Sequence, residues 1–295
     1  MSVWNTIADL ISQTSGQSFD ISQSSAVGGG CINSAYRLEG SDGNRYFVKL
    51  NKADKLTMFE AEAEGLNEIR ASGAIRAPAV IGWGEEAGHA FLVLEYLDLG
   101  HGDGDSAQRL GRHLAAMHRH SQSRFGWHRD NTIGATPQPN TPSSDWVDFW
   151  RQQRLGFQLE LARRHGCGDR LYGKGVDLMA RLEPFFKDYQ PRPALLHGDL
   201  WSGNYAFTTD GTPVIFDPAI YYGDREADLA MTELFGGFPP EFYQAYEEAY
   251  PLDPGYTQRK RLYNLYHILN HFNLFGGGYL GQAETMIDEL LRSTL

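Results

Sequence analysis

Apolar and polar positions along the chain change period several times, and each change marks an element. Trp4, Ile7, Leu10 and Ile11 recur at helical spacing and predict a short amphipathic helix. From residue 22 to 50 the pattern alternates like strands around the cluster Gly28-Gly29-Gly30. It runs through Tyr36-Arg37-Leu38, turns at Ser41-Asp42-Gly43-Asn44 and returns as Arg45-Tyr46-Phe47-Val48-Lys49-Leu50. A helix follows near 56–69, with Phe59, Ala63, Leu66 and Ile69 as its apolar face. Segments 79–83 and 90–97 read as two further strands joined by Glu85-Glu86-Ala87-Gly88. Five antiparallel strands and one helix then form a small first lobe.

The glycine- and acid-rich stretch 98–105 suits a linker. Beyond it the pattern is mainly helical, with Leu110, Leu114, Ala115, Met117 and His118 on one face. Residues 121–145 are polar and irregular, and they include Phe125-Gly126-Trp127-His128 and Thr136-Pro137-Gln138-Pro139-Asn140. So long a loop is either a substrate-side rim or a surface excursion tied down by Phe125 and Trp127. Ser143 or Ser144 is expected to cap a helix over 146–165, and further helices are expected near 175–189, 240–249 and 257–274, with one more after Gly276-Gly277-Gly278. The whole reads as an α+β bilobal chain: a lobe at 1–97, a hinge at 98–105 and a larger helical lobe at 106–295.

One stretch carries the chemistry. Two apolar runs, Ala194-Leu195-Leu196 and Val214-Ile215-Phe216, each end in polar residues: His197-Gly198-Asp199 after the first and Asp217 after the second. Thr208-Thr209-Asp210-Gly211 between them is a hairpin turn, because Asp-Gly tolerates positive φ. The hairpin carries Asp199, Asn204 and Asp217 back to one place. An H-x-D-x-x-x-x-N loop with a later Asp suits phosphoryl transfer: one Asp accepts the proton of an attacking hydroxyl, while Asn and the second Asp hold Mg²⁺ on nucleotide phosphates.

Other residues fit the same reading. The glycines at 28–30 let backbone N–H groups approach phosphates, although the spacing matches neither nucleotide-loop fingerprint. Lys49, flanked by apolar residues in its strand, is an edge charge or a phosphate ligand. Its helix offers Glu60, Glu62 and Glu64; periodicity does not choose among them, and the others are expected on a solvated acidic face. Glu95-Tyr96-Leu97 leads into the hinge, where backbone groups can meet an adenine edge. After Asp217 the chain enters a helix with no room for a long activation segment, which points to a small-molecule acceptor.

Composition narrows the class. The chain has 295 residues and a net charge of −11, which argues against a nucleic-acid or anionic-membrane partner. Its two cysteines, Cys31 and Cys167, are no disulfide framework. The N-terminus lacks a secretory pattern, and no apolar run approaches membrane-spanning length. A cytoplasmic enzyme, monomer or homodimer, is expected.

In this order the parts resemble the protein-kinase-like phosphotransferases of small molecules, among them aminoglycoside phosphotransferases and choline kinases. More narrowly, His197-Gly198-Asp199-Leu200-Trp201-Ser202-Gly203-Asn204 resembles the fructosamine kinase (ketosamine-3-kinase) family. Gly28-Gly29-Gly30-Cys31-Ile32-Asn33, the 136–140 string and Tyr222-Gly223-Asp224-Arg225-Glu226-Ala227-Asp228-Leu229-Ala230-Met231 add to the likeness, which covers nearly the whole chain. The resemblance implies transfer of the ATP γ-phosphoryl group to the 3-hydroxyl of a ketosamine, free or on a glycated protein lysine, with release of the amine as a repair outcome. It implies Asp199 as base, Asn204 and Asp217 as Mg²⁺ ligands, Lys49 with Glu62 at the phosphates, and Gly28, Gly29, Gly30 and Asn33 in the nucleotide loop. Trp201 is expected to wall the acceptor pocket or to pack between hairpin and helix. His197 orients the loop, while Asp224, Arg225, Glu226 and Asp228 are expected to include structural ion pairs. Tyr266, Asn270 and His271 share or adjoin one helix face, packed or substrate-facing. Cys31 is a redox candidate. Competing readings are a kinase of another hydroxyl compound, a nucleotide-binding regulator without turnover, and a metal hydrolase built on His197 and Asp199.

Overall fold

The computed structural model describes residues 2–28 and 32–293. Helix α1 (Val3–Ser15) starts at Ser2, whose hydroxyl accepts from the Trp4 N–H, and stops at Gly16 with φ of 70°. Ile7 and Ile11 bury against Leu38, Val48, Phe91 and Val93, so the helix is held by packing. Those partners lie on an antiparallel sheet of β1 (Ile21–Val27), β2 (Ser34–Gly40), β3 (Arg45–Lys52), β4 (Val80–Glu86) and β5 (His89–Glu95), in the order β1-β2-β3-β5-β4.

Helix α2 (Leu56–Ala71) connects β3 to β4. It buries Phe59, Ala63, Leu66 and Ile69, the apolar face expected from periodicity. Strand alternation divides the sheet between two helices. In β5, Phe91 and Val93 join the α1 cluster, while Ala90, Leu92 and Leu94 join the core that contains α2. In β3, Val48 and Leu50 take the α1 side, and Lys49 reaches α2.

The rest of the chain is mainly helical. After β6 (Leu99–Gly100), α3 (Gly104–Met117) begins at Asp103, which accepts from the Ser106 N–H at 2.8 Å. A small hairpin, β7 (Asn131–Ile133) and β8 (Thr136–Gln138), lies inside the segment expected to be irregular. α4 (Trp146–Phe149) continues through a π-helical stretch, Trp150–Gly156, into α5 (Phe157–Arg164), and α6 (Asp169–Met179) follows. Then come β9 (Ala194–Leu196), β10 (Tyr205–Thr208), β11 (Pro213–Ile215) and β12 (Tyr221–Gly223). α7 (Glu226–Leu234), α8 (Pro240–Ala249), α9 (Tyr256–Phe275) and α10 (Tyr279–Ser293) close the chain. β10 pairs with β11 and β6, while β9 pairs with β12.

Two helix expectations shift. α4 is capped by Asp145 rather than by Ser143 or Ser144, because the Asp145 carboxylate accepts from the Asp148 N–H at 2.7 Å. The Ser143 hydroxyl instead accepts from the Asp145 N–H. The helix expected at 175–189 ends at Met179, and Pro184, without an N–H, falls in a short 3₁₀ turn. Among the described residues no helix is long and apolar enough to cross a membrane.

Candidate active site

The expected hairpin forms. β10 and β11 pair from Tyr205 with Ile215 to Phe207 with Pro213, and Gly211 turns between them at φ of 73°. The Asp210 carboxylate accepts from the Thr208 hydroxyl and the Thr212 N–H, which pulls its pKa down to about 2. At the open end, the Phe216 N–H donates to the Asn204 carbonyl at 3.0 Å. Asn204 therefore sits beside the chain that delivers Asp217.

Asn204 is buried, and its amide donates to the Asp199 carbonyl at 2.8 Å and to Asp199 Oδ2 at 3.4 Å. Both bonds use the amide nitrogen and leave Asn204 Oδ1 out of them. Burial, reinforced by the charges of Asp217 and Asp228, raises the Asp199 pKa to about 7 despite the Asn204 hydrogen bond. A carboxylate in that range is well matched to a proton-accepting task at neutral pH.

Lys49 ties the two lobes together. Its Nζ lies 2.5 Å from Glu62 Oε1 and 2.6 Å from Asp217 Oδ1. Burial opposes the ammonium charge, but Asp217 and Glu62 outweigh it and hold the pKa above the usual lysine value. Asp217 has φ of 56°, the left-handed region, which costs a non-glycine residue about 1–2 kcal/mol. Its carboxylate is half exposed at the cleft.

The loop before Asp199 hangs on Asp228. One oxygen accepts from the His197 N–H at 2.7 Å and the other from the Gly198 N–H at 2.8 Å. His118 Nε2–H donates to the same carboxylate at 3.1 Å. Burial disfavours the Asp228 charge, yet His118, His197 and these N–H groups lower its pKa overall. Gly198 sits at φ of 83°, and a Cβ there would lie 2.1 Å from the Ala219 carbonyl oxygen. His197 Nδ1 accepts from the Asp199 N–H at 3.3 Å, so Nε2 carries the proton and donates to the Phe216 carbonyl at 2.9 Å. Burial lowers the His197 pKa, in keeping with a neutral ring.

The ion pairs expected at 224–228 are distributed differently. Asp224 accepts the hydroxyls of Tyr189 and Tyr263. Arg225 donates to the carbonyls of Tyr250 and Pro251 and to the Tyr246 hydroxyl, so backbone oxygens rather than carboxylates receive it. Glu226 pairs with Arg259 at 2.7 Å.

The remaining candidates are placed as follows. Trp201 is 39% exposed, and its indole lies over Gly203, where a Cβ would meet the ring at 2.3 Å. Asn33 Oδ1 accepts from Asn51 at 2.7 Å, pinning the end of the glycine loop. A Cβ at Gly28 would meet nothing within 4 Å, so the space beside it is open. Gly29, Gly30 and the redox candidate Cys31 lie outside the described residues. The Glu95 side chain bonds Arg76 and the Ala79 N–H, and its own N–H donates to the Ala79 carbonyl. Tyr96, next to Leu97, lies under Arg45, which bonds Asp98 at 2.6 Å.

Sequence reasoning missed two groups. Glu60 and Glu64 are partly exposed but not unpartnered: Arg129 reaches both, at 3.5 and 2.6 Å, and His128 reaches Glu64 at 3.0 Å. The period explains this, since residues 60 and 64 share a helix stripe about half a turn from Glu62. Arg154 is the second omission. It is fully buried in the π-helical stretch, donates to the Pro139 carbonyl and to Asn140 Oδ1, and lies 3.9 Å from the Tyr221 ring centroid. The 136–140 string is thus internal scaffolding in part. Gln138 donates to the Ala219 carbonyl and accepts the Tyr266 hydroxyl. Tyr266 and Asn270 are buried.

The chain resembles known proteins along nearly its whole length. The fructosamine kinase family pattern matches residues 3–293. A probable ketoamine kinase of Synechocystis is 55% identical over 290 residues, 98% of this chain and 97% of that protein. A chloroplastic protein-ribulosamine 3-kinase of Oryza sativa subsp. indica is 45% identical over 282 residues, 95% of this chain and 82% of that protein. The crystal structure of a fructosamine-3-kinase candidate from Haemophilus somnus superposes with TM-score 0.90 at 30% identity, covering 98% of this chain and 97% of that one. An aminoglycoside phosphotransferase superposes at TM-score 0.63 and 17% identity over 97% of this chain and 98% of that one, a likeness of fold alone. The fold is kinase-like.

Proposed function

The chain belongs to the fructosamine kinase family, and on that premise we propose that it transfers the γ-phosphoryl group of ATP to the 3-hydroxyl of a ketosamine. The observation that carries the reading is the double pairing of Lys49 with Glu62 and Asp217, beside an Asp199 whose pKa is near 7. In this reading 1–97 is the nucleotide lobe, 98–105 the hinge and 106–295 the lobe of the catalytic loop and acceptor. The open space at Gly28 suits phosphates, and Lys49 holds them.

Asn204 Oδ1 and the Asp217 carboxylate are hard oxygens on one hairpin, a donor set that fits Mg²⁺. Two protein oxygens would leave most of the shell of such an ion to phosphate oxygens and water. When bound, the ion neutralises charge on the phosphates. Asp199 accepts the proton of the 3-hydroxyl as its oxygen bonds to phosphorus and ADP departs with the bridging oxygen. The exposed Trp201 face lies two residues on and suits a sugar's C–H surface and the adjacent ammonium.

A phosphate on C3, next to the C2 carbonyl, is a leaving group: its β-elimination from the enaminol leaves an imine at C1, and water hydrolyses that imine to free the amine; the biological outcome we propose is repair of glycated lysines. A reducing, cytoplasmic setting suits the cysteine-poor chain. The test is incubation with MgATP and ribulosyl-lysine, fructosyl-lysine, an aminoglycoside or choline, reading ADP release and acceptor mass. Phosphate gain on a ketosamine, absent in Asp199→Asn, is expected. Turnover only with the aminoglycoside or choline would retract the ketosamine assignment.

A further inference from the structure

Glu68 stands six residues after Glu62 on α2, on the stripe shared with Glu60 and Glu64. Its two oxygens each take a donor from the other lobe. Trp127 Nε1–H donates to Oε2 at 2.8 Å, and the Tyr222 hydroxyl donates to Oε1 at 2.7 Å. Trp127 is almost fully buried, so this is no surface pairing. Arg129 and His128 beside it contact Glu60 and Glu64 at more exposed positions, where ion pairs count for little.

The two donors are themselves joined to the catalytic hairpin. Gly126, next to Trp127, exchanges both backbone hydrogen bonds with Tyr222 at 2.8 and 2.9 Å. Tyr222 pairs with Leu195 just ahead of His197, and it lies five residues after Asp217. Ile220, between Asp217 and Tyr222, packs where α2 has Gly65, and a Cβ there would lie 3.3 Å from Ile220. The contacts close a ring: Lys49 to Glu62, along α2 to Glu68, across to Tyr222, back along the chain to Asp217, and to Lys49 again.

We propose that Glu68 is a positioning residue for the phosphate-binding lysine: by gripping Trp127 and Tyr222 it fixes the rotation of α2 that keeps Glu62 on Lys49. In a fold with no long activation segment after Asp217, this grip replaces a switchable one. Loss of it lets α2 turn, and Lys49 then divides its time between Asp217 and solvent. The proposal rests on the nucleotide-binding part of the function above and not on the acceptor.

The test is therefore read on MgATP affinity by calorimetry, which needs no acceptor, with each protein held well below its own melting temperature. Glu68→Ala is expected to weaken MgATP binding about fivefold to twentyfold in the otherwise unchanged chain, and less than about twofold in a Glu62→Gln background, because the two residues act through one another. Glu68→Gln keeps one acceptor for Trp127 and turns an amide donor to the Tyr222 oxygen, so it recovers most of the affinity. Trp127→Phe, which keeps a large ring in place, shows the same non-additivity with Glu62→Gln on a smaller scale. Equal losses in both backgrounds, or unchanged affinity in Glu68→Ala and Trp127→Phe, would overturn the proposal. Intact MgATP binding without ketosamine phosphorylation would count against the acceptor assignment and leave this one standing.

Discussion

His197 holds Phe216: the imidazole two residues before Asp199 donates its Nε2–H to the carbonyl one residue before Asp217, at 2.9 Å. One buried neutral ring thereby fixes the separation of the two acids. His197→Ala removes that bond, removes the acceptor for the Asp199 N–H and opens a cavity. Stability is expected to fall by about 2–4 kcal/mol. Turnover should drop about 10- to 100-fold through misplaced acids. Denaturant melts and kcat at saturating substrates measure both; an unchanged kcat would remove the orienting role.

Asp199→Asn keeps the shape and loses the base. Turnover should fall about 100-fold or more with MgATP affinity retained. In the parent enzyme, kcat/KM for MgATP should rise with pH through about 7, as the Asp199 carboxyl loses its proton. The residual rate of the variant should lack that limb. A pH profile that is identical in the two proteins would contradict the assignment.

The same acid should cost stability. Its folded pKa, about 7, lies above the ordinary 3.8. Below the lower value both states hold the proton and there is no penalty. As pH rises the unfolded chain releases its proton first, so the penalty grows and is complete above about 7. Asp199→Asn should then raise the melting temperature at pH 8, by an amount worth at most a few kcal/mol, with almost no gain near pH 3. Melts at the two pH values decide it.

Asp217→Ala removes a carboxylate from both Lys49 and the expected ion. Nucleotide affinity should fall about tenfold or more and lose most of its dependence on Mg²⁺ concentration. Calorimetry with and without a chelator measures it. Retained Mg²⁺-dependent affinity would exclude Asp217 as a ligand.

Gly198→Ala tests the loop itself. The added methyl carbon would overlap the Ala219 oxygen, and φ of 83° strains any side chain. A loss of about 3 kcal/mol or more is expected, visible as a lower melting temperature or poor soluble yield.

The two-lobed α+β plan was legible because α1 and α2 carry helical apolar faces and the apolar runs of β3 and β5 are bounded by turn residues, and the hairpin because Asp210-Gly211 marks its turn. The 121–145 segment was not legible, since its order comes from side-chain amides: Asn131 and Gln138 bond Ile220, Ala219 and Tyr266 far away in sequence, Asn140 ties back to Asn131, and β7 and β8 are three residues each. The partners of Glu60 and Glu64 were hidden for the same reason, because Arg129 and His128 lie more than sixty residues on. Arg154 gave no signal: a buried arginine with carbonyl and ring partners looks like any surface arginine in a helical sequence.

The double pairing of Lys49 also sets an ionic filter. One ammonium is met by Glu62 and Asp217, with Asp199 partly ionised near neutral pH, so the cradle is net anionic inside a chain of charge −11. Metal-free ATP arrives with about four negative charges and is repelled, while the magnesium complex arrives with about two and carries its own counter-charge to the acids. The cradle thus sorts nucleotides by the cation they bring, and unchelated ATP should be a poor competitor even when abundant.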